Sequence, residues 1–191
     1  MQPYDPLDYD NLARSIVQAL FTGPETPLPP PQACEGAGVY AIYYHGDFEG
    51  YGPLSSEKGA APPIYVGKAV PAGARKGAGR LSRGKELCQR LRQHAKSVAQ
   101  AENLRLEDFS CRYLVVVPVW VTLAERFLVE HYRPIWNVLI DGFGNHDPGA
   151  GRRAMKRPRW DILHPGRLWA AKLTAEESFD DVLRELRNFS R

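Results

Sequence analysis

The chain has 191 residues, 43% of them hydrophobic and 25% charged, with a formal net charge of +3. These are the proportions of an ordinary globular chain long enough for one substantial core, which argues against a fibrous, disulfide-rich or extensively disordered protein. The strongest apolar run, Leu114 to Val121, is broken by Pro118 and is too short to span a bilayer, so no membrane association is expected.

Met1 to Asp10 is acidic and lacks a signal-peptide layout. Cys34, Cys88 and Cys111 are odd in number and form no C-x-x-C pair, which points to a reducing cytoplasm and against a disulfide framework or thiolate zinc site. Charge is unevenly spread. From Lys68 to Arg105 the basic residues face only Glu86 and Glu102, and from Arg152 to Arg167 only Asp161, while both ends of the chain are acidic. A basic centre of this kind suits a polyanionic partner at one face.

In chain order, Asn11 to Phe21 predicts a helix with Leu12, Ile16, Val17, Leu20 and Phe21 on one face and Asp10 or Asn11 as cap. A proline-rich lead (Pro27, Pro29, Pro30, Pro31) follows. Gly38 to Tyr44 and Ile64 to Lys68 read as short strands, each with a tyrosine beside a glycine. His45 to Pro63 between them reads as a long connection or insertion. Pro71 to Gly84 is a loop of Gly, Ala, Arg and Lys, a composition that suits close approach to phosphates.

Lys85 to Gln100 predicts an amphipathic helix, on which Arg90 and His94 stand four apart and share a face. Phe109 to Val117 is the third strand. Its Val115-Val116-Val117 end is apolar on both faces, as expected of the central, buried strand. Thr122 to Tyr132 is the next helix, and Thr122 and Glu125 have the spacing of a capping box. Pro134 stops that helix, and Asn137 taken alone is a turn residue. Asp141 to Gly151 is a glycine-rich loop containing Asn145 and His146, and Trp160 to Trp169 is expected to pack back on the core. Thr174 to Phe189 predicts a final helix, with Thr174 and Glu177 as its capping box. No repeat, Walker-type phosphate loop or dinucleotide fingerprint is present.

Gly38-Val39-Tyr40, Tyr65-Val66-Gly67, the Arg90 and His94 pair, Glu125 and Pro134-Ile135-Trp136-Asn137 resemble, in that order, the GIY-YIG nuclease family. The longer stretches Gly36 to Tyr40, Pro63 to Pro71, Asp108 to Arg112, Asp141 to His146 and His164 to Arg167 resemble its type II restriction endonucleases that cut CCGCGG. The resemblance implies an α/β (α+β) fold: a small, mainly antiparallel three-stranded sheet flanked by helices. It implies a single endonuclease domain over 1–191, with a catalytic core at about 36–140, the N-terminal helix 11–21 and a DNA-facing loop and helix over 141–191.

The resemblance further implies hydrolysis of phosphodiester bonds in double-stranded DNA with one Mg²⁺, for which Mn²⁺ can substitute, on Glu125. Tyr40 is then the general base, its phenol pKa depressed by Lys68, Arg90 or the metal. Arg90 would bind phosphate oxygens, His94 and Tyr65 would orient Tyr40, the water or the phosphate, and Asn137 would hold the phosphate or brace Glu125. Glu130, one turn and one residue beyond Glu125, is expected to point elsewhere. Arg75, Lys76, Arg80, Arg83, Asn145, His146, Arg152 and Arg153 are the expected DNA-facing residues. A palindromic target implies a symmetric homodimer. A cognate DNA methyltransferase is expected in the same system without physical contact. The alternatives are a repair or homing nickase of the same family, or a non-catalytic DNA-binding relative; intact Tyr40, Arg90, His94 and Glu125 speak against the last.

Overall fold

Gly-Val-Tyr-Ala-Ile-Tyr-Tyr offers no polar face, and in the computed structural model every one of these residues is buried as strand β2 (Gly38–Tyr44). Residues 8–54, 62–71, 84–147 and 155–189 are described. A strand buried on both sides must be interior and covered by two layers. β2 lies inside a four-stranded antiparallel sheet of order β1-β4-β2-β3, where β1 is Thr26–Pro27, β3 is Tyr65–Ala69 and β4 is Phe109–Val115.

The three long strands are those expected from the sequence. The fourth, β1, comes from the proline-rich lead and pairs two residues with Ser110 and Cys111 on the edge away from β3. The fully buried strand is β2, not β4. Val115 and Val117 are exposed because the chain leaves the sheet there and Pro118 starts a helix.

Side chains alternate between the faces of a strand. Tyr40, Ile42 and Tyr44 pack with α2 (Glu86–Gln100), α4 (Ile135–Val138), α5 (Arg159–Leu163) and α6 (Phe179–Phe189). Val39, Ala41 and Tyr43 pack with α1 (Tyr9–Thr22) and α3 (Pro118–Tyr132).

Three helix starts differ from expectation. α1 is capped by Asp8, whose carboxylate accepts from the Asn11 backbone N–H. α3 begins at Pro118, a residue suited to a first turn, so Thr122 is interior to the helix and the Thr122–Glu125 box does not exist. α6 begins only at Phe179. Ser178 Oγ accepts from Asp181 N–H and the Asp181 carboxylate from Ser178 N–H, while Glu177 is taken by Arg159. Trp160 is buried in the core as expected, and the three cysteines are buried free thiols. Among the described residues no helix is long and apolar enough to cross a membrane.

Candidate active site

The two tyrosine strands are neighbours, and their register explains both glycine motifs. Tyr40 stands directly opposite Gly67, and Ile42 opposite Tyr65. A Cβ on Gly67 would lie 2.4 Å from Tyr40 Oη and 2.9 Å from Tyr65 Cε1. Gly67 is therefore needed for space: the Tyr40 hydroxyl occupies the volume a side chain would fill.

α2 supplies the next groups. Leu87, Leu91, His94 and Val98 are buried on one stripe, which turns His94 toward the sheet. Its Nε2 lies 2.6 Å from Tyr40 Oη, and both residues are buried. Arg90, one turn earlier, sits at the rim. It donates through Nη1 to His146 Nε2 at 2.6 Å and to Gln93 Oε1 at 3.2 Å, and through Nη2 to the Gly144 carbonyl at 3.0 Å.

Lys68 and Glu125 arrive from the other layer. Lys68 pairs with Val39 and so projects to the α3 side. Its Nζ lies 2.6 Å from Glu125 Oε2. Tyr40, Tyr65, Lys68, Arg90 and Glu125 nevertheless line a single cleft of about 580 Å³, together with Ala69, Val70, Glu86, Gln89 and Gln93. The cleft wraps around edge strand β3.

Burial sets the protonation states. It pushes the Tyr40 phenol well above its ordinary value, with Tyr65 adding to the effect and Arg90 opposing it. Tyr65 is raised by burial as well. His94 is driven well below its ordinary value, first by burial and then by Arg90, His146 and Arg167. His94 is thus neutral, and it shares a hydrogen bond with the protonated Tyr40 through Nε2. The depression expected for Tyr40 is the reverse of what the surroundings produce, because loss of hydration outweighs the nearby guanidinium.

Asn137 also has a different place from the one expected. Its side chain accepts from Val66 N–H and donates to Val66 C=O, each at 2.8 Å. One N–H and one lone pair of the carboxamide are used on the backbone of β3, and Asn137 is not among the residues that line the cleft. Glu130 points elsewhere as expected, toward Arg126 and Tyr9. His146 reaches Arg90, while the exposed Asn145 contributes its backbone to the loop. Arg75, Lys76, Arg80, Arg83, Arg152 and Arg153 lie outside the described residues.

Phe143 and Arg167 had no role in the sequence reading. The Phe143 ring stacks on His94 at 4.5 Å and 18°. Arg167 is buried against Asp161 and the carbonyls of the loop that carries Phe143. The only signal for either was its place in a stretch matching the family; nothing local announces a ring landing on a distant histidine.

The cleft fits a hydrated Mg²⁺ rather than an ion in an all-protein cage. Among the described residues no group of three or more His, Cys, Asp and Glu could hold a metal. Glu125 offers one carboxylate to an open cleft, and a cation, the Lys68 ammonium, already rests on one of its oxygens. Mg²⁺ characteristically takes one or two carboxylates and keeps several waters.

Among known families, residues 32–189 match the family model described as Eco29kI GIY-YIG domain. No curated protein matches the chain.

Proposed function

The chain belongs to the Eco29kI GIY-YIG restriction endonuclease family, and we propose that it is a type II enzyme cutting both strands of DNA at CCGCGG. Membership makes it a nuclease acting on DNA. The observation that carries the finer reading is the convergence of Tyr40–His94, Arg90 and Lys68–Glu125 on one cleft. The sequence stretches shared with enzymes cutting CCGCGG support the choice of site.

Phosphodiester hydrolysis needs an activated water, charge stabilisation at the phosphorus and a stabilised leaving oxygen. Tyr40 is the group that meets the water. Its pKa is too high for a standing phenolate. Its oxygen, however, lies 2.6 Å from His94 Nε2, within reach of a direct proton transfer when Nε2 is the bare nitrogen of the neutral ring. A water proton passes to the Tyr40 oxygen as the Tyr40 proton passes to His94. The tyrosine is then the immediate base and the histidine a transient acceptor, since burial and Arg90 disfavour its charged form. Tyr65, edge-on to His94 at 5.2 Å, walls this pair. Arg90 and Lys68 supply positive charge for the non-bridging phosphate oxygens. Glu125 would hold Mg²⁺, or Mn²⁺ in its place; when bound, the ion supplies charge stabilisation at the leaving oxygen.

One such cleft per chain cuts one strand, so two chains related by a two-fold axis suit a palindrome. The host's own sites require protection by a cognate methyltransferase that need not touch this protein.

Incubation of a plasmid carrying one CCGCGG site with the protein and Mg²⁺ tests the reading. Linear product is expected; nicked circles indicate a nickase, and intact plasmid rejects the assignment. Glu125→Gln is expected to abolish cutting and preserve a gel shift on the same sequence. Cutting at the wild-type rate would leave Glu125 as nothing more than the ion-pair partner of Lys68. Sedimentation with a CCGCGG oligonucleotide is expected to give two chains per duplex.

A further inference from the structure

Arg167 is a buried arginine that the chemistry above does not use. It donates through Nε and Nη2 to the two oxygens of Asp161, both at 2.6 Å. Its other N–H groups donate to the carbonyls of Gly142 at 2.9 Å, Asn145 at 3.1 Å and Phe143 at 3.2 Å. All five guanidinium donors are engaged, three of them on one short loop. The rings of Trp160 and Trp169 hold the guanidinium at 4.5 and 4.9 Å. The loop turns at Gly142, with φ +99°, where a Cβ would lie 2.1 Å from Pro158 Cβ, so no other residue fits.

The far side of the same loop faces the cleft. Phe143 lies flat on the His94 imidazole, and the Gly144 carbonyl and His146 Nε2 accept from Arg90. One side of loop 142–146 is therefore fixed to Arg167 and the other to two active-site side chains. A buried ion pair is a poor source of stability compared with apolar packing of the same volume, which leaves geometry as its contribution.

We propose that loop 142–146 is the positioning element of the active site, and that Arg167, by clamping three of its carbonyls, sets the orientation of His94 and Arg90 without touching substrate. This rests on Arg90 and His94 being active-site groups. Phe143 shuts water from His94, whose other neighbours are Tyr40, Tyr65, Arg90, His146 and Arg167. Loosening the clamp wets the imidazole and frees the Arg90 fork.

Two variants test this in the full chain. Arg167→Lys keeps a charge beside Asp161 but lacks the donors for the carbonyls; Phe143→Leu keeps the clamp and removes the plate over His94. The His94 titration is followed by NMR of labelled imidazole, alongside single-turnover cleavage and DNA affinity. In both variants the His94 midpoint is expected to rise toward the ordinary value of about 6.5. The cleavage rate is expected to fall about 10–100-fold with DNA affinity unchanged, as for a misplacement of about 1 Å. A merely structural Arg167 would lower the melting temperature and leave both readings alone. Wild-type midpoints and rates in folded variants overturn the proposal, and if Arg167→Lys does not fold, Phe143→Leu decides by the same readings. Failure of the wild type to cut any DNA would sink the nuclease reading, while the His94 midpoints would still decide the loop's role.

Discussion

Replacing Gly67 with alanine puts one methyl group where the Tyr40 hydroxyl now lies. The new carbon would stand 2.4 Å from Tyr40 Oη and 2.6 Å from Tyr40 Cζ. Unstrained contacts between heavy atoms are at about 3.5 Å, so roughly 1 Å of movement is demanded. Tyr40 is buried, and a retreat into the cleft it lines would carry its hydroxyl off His94. The same movement would stretch its 2.6 Å bond to His94 past the limit of a hydrogen bond, about 3.5 Å. Overpacking and a stranded His94 nitrogen together should cost about 2–4 kcal/mol. Loss of the oriented hydroxyl should slow cleavage about 10²-fold or more. Urea unfolding and single-turnover cleavage of a CCGCGG plasmid measure the two effects. In a Tyr40→Leu background the two closest contacts are gone and the Tyr65 ring edge at 2.9 Å remains, so the alanine should cost less, about 1 kcal/mol. An alanine variant as stable and as fast as wild type would refute the reasoning, as would an equal stability loss in both backgrounds.

Tyr40→Phe should reduce cleavage about 10²–10⁴-fold; full activity would transfer the role to Tyr65 or His94. Acid should destabilise the fold through its two buried histidines. His94 is held well below its ordinary value and His164 at about 3, both mainly by burial. Below about pH 6.5 the unfolded chain binds protons that the folded chain refuses, so stability is complete above that pH and falls below it, by about 1.4 kcal/mol per pH unit for each histidine. His164→Gln should remove one histidine's share of that slope, and an unchanged slope would contradict the assignment. Alanines at Arg75, Lys76, Arg80 and Arg83 should flatten the dependence of log K for DNA on log salt by about 0.9 for each phosphate left without its cation. An unchanged slope would take that segment away from the DNA.

The pair of tyrosine strands was legible because β-branched and aromatic residues bounded by glycine have few other outcomes. Helix α2 was legible by its period, which also brought Arg90 and His94 to one face. Pro118 was ambiguous: it breaks an apolar run, yet it equally begins a helix, and the second meaning applies. With α3 starting there, Glu125 is carried to Lys68 rather than used as a cap. For the last helix the sequence points to Thr174 and Glu177 as the capping box. The structure uses Ser178 and Asp181 because Arg159, from another helix, has claimed Glu177. The same applies to Asn137, whose carboxamide reads as a turn residue until β3 is seen beside it. What stayed hidden in each case is a partner distant in sequence.

Because the cleft gathers side chains from both layers, it can exist only where the sheet ends. A further strand laid against β3 would wall off Tyr40 and Arg90 from Lys68 and Glu125. Growth of the sheet is thus permitted on one flank alone, and β1 indeed attaches to β4 on that flank. On the forbidden flank, the Asn137 carboxamide imitates a single peptide unit and ends the ladder at Val66 within the width of one residue. On the function proposed above, a DNA strand offering one phosphate to these groups is expected to come in along the rim of the sheet, over β3.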